Sequence, residues 1–249
     1  MADNLPLLTG IKHLAFDLYG TLLISKAGGS YSIHEREFTL RNHLAEYNYS
    51  QLPIFPLVTH LENIIAQDHA HSRKNGIDFP EVEIRHIWPR FFDSLKLTPP
   101  TELERFIIEY ENLTNPVSPA PGSLEILTHP LTRAFVSNAQ FYTPLILTQL
   151  ELPAPNITLY SYQAGHAKPG RHLFDALAKS IPPSETLYIG NDRLKDIAPA
   201  HHCGFRTALY AGDQNAFRPY AHRTDLPQPD VLITSLDQIH QILGERLLA

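Results

Sequence analysis

The sequence predicts an α/β fold: a Rossmann-like, mostly parallel sheet flanked by helices, with an all-helical segment inserted after the first strand. Three observations predict it. Short apolar runs recur along the chain, and several end in an acidic or small polar residue. Helical stretches separate them, the alternation that gives right-handed βαβ units and a parallel sheet. One long stretch, 24–116, carries helical patterning and no convincing strand.

The first run, IKHLAFD at 11–17, is a buried strand leading into a loop. Further strands are predicted within RAFVSN (133–138), ITLYS (157–161), TLYIGND (186–192), FRTALY (205–210) and PDVLI (229–233). Helices are predicted over 143–150, 170–180, 194–203 and 235–247. Inside the insertion, 32–49, 56–75, 80–95 and 101–113 read as amphipathic helices with Pro and Gly between them. NPVSPAPG, 115–122, reads as the return linker. The expected organisation is therefore an α/β core of 1–23 with 117–249, and a helical domain of 24–116. Trp88 in IWPRFF is expected in the core of that helical domain or at its seam. The acid-rich ELERFIIEYE (102–111) is expected to be a solvated helix face.

Composition narrows the function. A chain of 249 residues, 43% of them hydrophobic, can bury one large domain and a smaller one. A net charge of -6 without any Lys/Arg run argues against nucleic acid as a partner. Cys203 is the sole cysteine, which excludes an intrachain disulfide and a thiolate zinc site and fits a reducing compartment. No apolar run reaches the ~18–20 residues of a membrane span. The start lacks a basic segment followed by a long apolar one, so no signal peptide is expected. These features point to a cytoplasmic protein with no membrane partner, monomeric or homodimeric. Of the 14 histidines, the closest groups, His69/His71 and His201/His202, lack the i, i+4 spacing of helical metal ligands. They read as surface or packing residues.

In parallel α/β sheets ligands bind at the carboxyl ends of the strands. Asp17, Ser137 and Asp192 fall there. In FDLYGTLL, 16–23, a carboxylate at a strand end could attack an electrophile. Gly20 would permit a tight turn, and Thr21 could orient the carboxylate or bind an anion. As ordinary structure, Asp17 would be a helix cap or turn residue. Ser137 and Asn138 offer a hydroxyl and a backbone N–H to anionic oxygens, or form a plain turn. Lys168 in HAKPG could neutralise charge on a nucleophile and a bound oxyanion, or lie on the surface. Asp192 and Asp196 in IGNDRLKDIAPA (189–200) could hold Mg²⁺, or mark an acidic helix start.

The order acid, small hydroxyl, lysine, acid pair resembles the haloacid dehalogenase-like (HAD) hydrolase superfamily, over nearly the whole chain outside the insertion. The resemblance implies a Rossmann-like core whose site is closed by a helical cap, for which 24–116 is suited. It implies Asp17 as nucleophile, Ser137 as binder of the substrate's anionic group, and Lys168 as the residue that steadies nucleophile and transferred group. It implies Mg²⁺ held by Asp17, the backbone carbonyl of Tyr19, Asp192 and Asp196, and a small anionic substrate.

The pattern is mixed. Family phosphatases carry a second acid two residues after the nucleophile, where this chain has Tyr19. Tyr19 resembles the dehalogenases, whose halide leaving group needs no proton. Those enzymes need no metal, carry a Tyr where this chain has Phe174, and grip the substrate carboxylate with a cap arginine, for which Arg36 or Arg41 is available. Asn191 or Asp192 takes the first acid position of the fourth motif. An acid for a phosphatase could come from His34 or the Tyr19 phenol. The expected activity is Mg²⁺-dependent hydrolysis of a small phosphorylated metabolite. The alternatives are a metal-independent 2-haloacid dehalogenase and a catalytically weak scaffold that binds. Gly28–Gly29 is a candidate hinge for the cap.

Overall fold

The computed structural model describes residues 5–25 and 32–244. The Gly28–Gly29 hinge and the end of the 235–247 helix lie outside them. Among the described residues, eight strands occur in chain order: β1 (His13–Phe16), β2 (Leu23–Ser25), β3 (Val117–Pro119), β4 (Thr132–Ser137), β5 (Ile157–Tyr160), β6 (Thr186–Gly190), β7 (Arg206–Tyr210) and β8 (Val231–Ile233). Six form one sheet in the order β5-β4-β1-β6-β7-β8, every adjacent pair parallel. The sheet is buried on both faces, which is why its strands read as continuous apolar runs. Side-chain alternation sends Leu14, Phe16, Leu187 and Ile189 to one core, and Ala15, Val136 and Tyr188 to the other. β1 lies between β4 and β6. The strand order therefore reverses at β1, and a crevice opens at its carboxyl end.

Among the described residues, four helices occupy the insertion: α1 (Ile33–Glu46), α2 (Leu57–Lys74), α3 (Ile84–Ser94) and α4 (Leu103–Thr114). α1 starts at Ser32 with a capping box, in which Ser32 accepts from the Glu35 N–H and Glu35 accepts from the Ser32 N–H. The apolar stripes of the four helices close on Trp88, which contacts Phe91, Phe106 and Tyr110 edge-on at centroid distances of 5.1–5.5 Å. Phe141, just after β4, joins the same cluster, so this core reaches the sheet domain. Trp88→Ala is expected to cost about 3–5 kcal/mol, measured as a shift in the midpoint of denaturant unfolding.

Two expectations change. The stretch after β1 was expected to hold no strand, yet β2 pairs antiparallel with β3 at the root of the helical layer, with Ile24 opposite Ser118. Strands of three residues, one ending in Pro119, are too short to carry a periodic signal. The last helix spans Gln238–Ile242 and starts later than expected. The Gln238 side chain takes the N–H groups of Thr234 and Ser235, which holds the preceding residues in a turn.

Candidate active site

Asp17 is the residue after β1, and its N–H extends the ladder by donating to the Ile189 carbonyl at 2.9 Å. The chain then turns sharply. The N–H groups of Thr21, Leu22 and Leu23 all converge on the Leu18 carbonyl. Gly20 sits in this turn at φ +87°, where a Cβ would stand 2.6 Å from the Asn191 side chain. Glycine is thus required by both conformation and space.

Ser137 and Lys168 close on the Asp17 carboxylate. Ser137, the last residue of β4, donates its hydroxyl to Asp17 Oδ1 at 2.8 Å. Lys168 Nζ lies 2.8 Å from the same oxygen and 2.5 Å from Asp196 Oδ1. The Val136 carbonyl accepts a third bond from Lys168 at 3.1 Å. These groups are buried: Asp17 is 7% exposed, Lys168 4% and Asp196 1%. Burial would lower the Lys168 pKa, but the charges of Asp17 and Asp196 outweigh it and hold the ammonium up. Burial pushes the Asp196 carboxyl up, with Lys168 opposing. Asp17, Lys168 and Ser137 therefore form one charge-assisted cluster. It leaves Asp17 Oδ2 without a hydrogen bond among the described residues.

Other predicted residues fall differently. Asn138 is a clamp: its Oδ1 accepts from the Lys168 N–H at 2.8 Å and its Nδ2 donates to the Lys168 carbonyl at 3.1 Å, which fixes the lysine's backbone. The Thr21 hydroxyl donates to Asn191 Oδ1 at 3.3 Å rather than to Asp17. The Tyr19 hydroxyl shares a hydrogen with Thr143 Oγ1 at 2.9 Å, and burial pushes its phenol strongly up, which makes it a poor acid. His34 is exposed. Arg41 bonds Glu37 and the Phe55 carbonyl, and Arg36 bonds Glu62. Phe174 packs edge-on against Tyr188 in the core.

The acid pair separates into two roles. Asp196 Oδ1 accepts from Lys168 and from the Tyr188 hydroxyl at 3.0 Å, and Oδ2 accepts from the Asp192 N–H at 3.0 Å. Both oxygens are engaged. Asp192 Oδ1 caps the following π-helical turn, Arg193–Ile197, through the N–H groups of Leu194 and Lys195. Asp192 and Asp196 both line a cavity of about 320 Å³ above Asp17. Lys195 and Arg218 line it too, and the sequence reading singled out neither. Lys195 sits between two residues that were singled out, and its place on the site's side of the turn was the available signal.

A second chamber of about 210 Å³ adjoins the first, and Tyr19 and Asn138 line both. Glu81, Glu111 and Asn115 are on its wall. Glu111 corrects the expectation of a solvated face for 102–111. It lies one turn after buried Ile107, on the inward stripe of α4, and that i, i+4 spacing was the available signal. Burial pushes the Glu111 carboxyl up, against hydrogen bonds from Asn115 and Tyr142 and the charge of Arg36. A carboxyl raised by folding favours the native state below its ordinary pKa of about 4.3 and loses that contribution as pH rises through the folded value. Thermal melts of Glu111→Gln should therefore gain on wild type as pH rises from about 4 toward neutrality.

Residues 166–239, which carry Lys168 and the acid pair, match the HAD-hydrolase-like family model. The structure resembles a 2-haloacid dehalogenase from Pseudomonas syringae pv. tomato DC3000, with 23% identity, 94% of this chain and 98% of that one covered, and a TM-score of 0.62. This is the haloacid dehalogenase-like fold. A HAD phosphatase from Thermococcus onnurineus has it at 20% identity, covering 95% and 100% of the two chains at a TM-score of 0.56. The L-2-haloacid dehalogenase of Xanthobacter autotrophicus, with chloropropionic acid covalently bound, has it at 17% identity, 94% and 98% coverage and a TM-score of 0.54. No curated protein matches the chain in sequence. No described helix is long and apolar enough to cross a membrane.

Mg²⁺ is the metal that the resemblance to HAD phosphatases implies. No three His, Cys, Asp or Glu side chains converge on a metal position among the described residues. Mg²⁺ does not need three. It takes hard oxygens, commonly one or two carboxylates with water and substrate phosphate completing the octahedron. Asp17, Asp192 and Asp196 line one cavity together with Tyr19, and their carboxylates supply such oxygens. The Asp196 oxygens also accept from Lys168, the Tyr188 hydroxyl and the Asp192 N–H. The residue types present fit Mg²⁺.

Proposed function

We propose that this HAD-fold chain is a hydrolase of small phosphate monoesters that uses Asp17 as nucleophile. The observation that carries the reading is the Asp17 carboxylate, fixed through Oδ1 by Ser137 and Lys168, on the wall of a cavity that Lys195 and Arg218 also line. Asp17 Oδ2 attacks phosphorus, the bond from phosphorus to the leaving oxygen breaks, and an aspartyl phosphate forms. Water then attacks phosphorus, which releases inorganic phosphate and restores the carboxylate. Ser137, Lys168, Lys195 and Arg218 stabilise charge on the phosphoryl oxygens. Asp17, the Tyr19 carbonyl and Asp192 would hold Mg²⁺, which neutralises charge on those oxygens when bound. With Tyr19 where an acid would stand, the departing oxygen must leave with little help. Aryl phosphates should then outrun simple alkyl ones. The helices of 24–116 act as the cap, and the substrate enters between cap and sheet.

The test is phosphate release from aryl phosphate and a metabolite panel, with Mg²⁺ and with EDTA. Release that EDTA leaves untouched would refute the metal-dependent reading.

One observation favours a second reading, 2-haloacid dehalogenase. Tyr19 matches the dehalogenase pattern, and dehalogenases share the fold. The site opposes it: Arg36 and Arg41 are paired elsewhere, and a substrate carboxylate in the second chamber would meet Glu81 and Glu111. Chloride release from 2-chloropropionate would establish it. Any Asp17-dependent turnover would remove the remaining alternative, a silent binding scaffold.

A further inference from the structure

The two chambers differ in charge. The one above Asp17 sets three cations, Lys168, Lys195 and Arg218, beside three carboxylates, Asp17, Asp192 and Asp196. The one beyond Tyr19 is lined by Glu81 and Glu111, with no cation on its wall among the described residues. Arg36, whose charge reaches Glu111, is already paired with Glu62 at 2.7 Å. The acids are held in place from different elements. Glu81, in the connection from α2 to α3, accepts from the Ser161 hydroxyl at 2.8 Å and from the Val82 N–H at 3.1 Å. Gln140 fixes that connection by donating to the Val82 carbonyl at 2.9 Å and accepting from the Ile84 N–H at 3.0 Å. Glu111, on α4, accepts from Asn115 Nδ2 at 2.8 Å.

Asn115 is a separate observation that points to a ligand. It is 7% exposed, lines the chamber, and its Oδ1 has no hydrogen-bond partner. A buried amide oxygen left unpaired is a cost that an incoming donor removes. Two carboxylates and an unpaired acceptor ask for a group that only donates and carries positive charge. A primary ammonium does both.

Resting on the phosphate-ester reading, we infer that the leaving group of the substrate carries an ammonium, held by Glu81, Glu111 and Asn115 Oδ1 while its phosphate lies at Asp17. The substrate class is an amino-alcohol phosphate. Such a substrate also suits the Tyr19 position, because a nearby ammonium makes the departing oxygen a better leaving group.

The test is calorimetric binding of ω-aminoalkyl phosphates of increasing chain length to the Asp17→Asn protein, each beside its ω-hydroxyalkyl counterpart. Free amino alcohols and diols, titrated against wild type, probe the chamber without phosphate. At the best length the amine is expected to bind about tenfold or more tighter. That preference should fall toward unity in Glu111→Gln and in Glu81→Gln, each checked by thermal melt. Equal binding of amine and hydroxyl, with phosphate binding retained, overturns this inference alone. Failure of both phosphate series overturns the phosphate-ester reading. In that event an amino alcohol still preferred over its diol supports the ammonium site, and no preference ends it.

Discussion

Asp17→Asn protein should lose turnover on every substrate by about 10⁴-fold or more, with binding of phosphate compounds retained. The carboxylate oxygen is the attacking atom, and an amide is a poor nucleophile. The geometry predicts little structural penalty. An amide oxygen in place of Oδ1 still accepts from Ser137 and Lys168, both at 2.8 Å. The check is kcat on aryl phosphate together with calorimetric binding. Loss of binding and folding together would mean that Asp17 is a structural residue.

Lys168→Met should damage both stability and activity. Lys168 bridges Asp17 and Asp196 at 2.8 and 2.5 Å, in a site where all three are nearly excluded from solvent. Removing it leaves two buried carboxylates facing each other. Breaking a buried ion pair from one side costs about 3–5 kcal/mol, which for a chain of this size lowers Tm by roughly 10 °C. Turnover should fall by on the order of 10²–10³-fold, because the positive charge beside the attacking oxygen is lost. The double variant Lys168→Met/Asp196→Asn separates the two effects. It should recover part of the stability, since one buried charge is gone, and none of the activity. Recovery of activity would show that Lys168 only supports the fold.

The strand-end logic was legible because each feature is local. A run of apolar residues ending in Asp17, Ser137 or Asp192 carries its own signal, and a parallel sheet brings such ends together. The role of Asp196 was not local. Its spacing from Asp192 suggests a joint metal site, but the π-helical turn at Arg193–Ile197 swings it beneath Gly190, where a Cβ would come within 2.5 Å of its carboxyl carbon. That contact comes from the turn itself, and the bond to Lys168 joins segments 28 residues apart in the chain. Tyr19 was ambiguous between core and site because its partner, Thr143, begins a helix beyond β4. The acid-lined chamber was hidden most deeply. Glu81 lies in the connection from α2 to α3, Glu111 on α4 and Asn115 just after it, and tertiary contacts such as those of Gln140 bring them together. Only the position of Glu111, one turn from Ile107, gave a hint.

The most direct test of the central claim is chemical trapping of the covalent intermediate. Enzyme turning over aryl phosphate with Mg²⁺ would be acid-quenched, reduced with borohydride, digested and sequenced by mass spectrometry. A phosphorylated carboxylate is reduced to an alcohol, so the account predicts homoserine at position 17 and at no other aspartate. Steady phosphate release with unmodified Asp17, or reduction at a different residue, would contradict it.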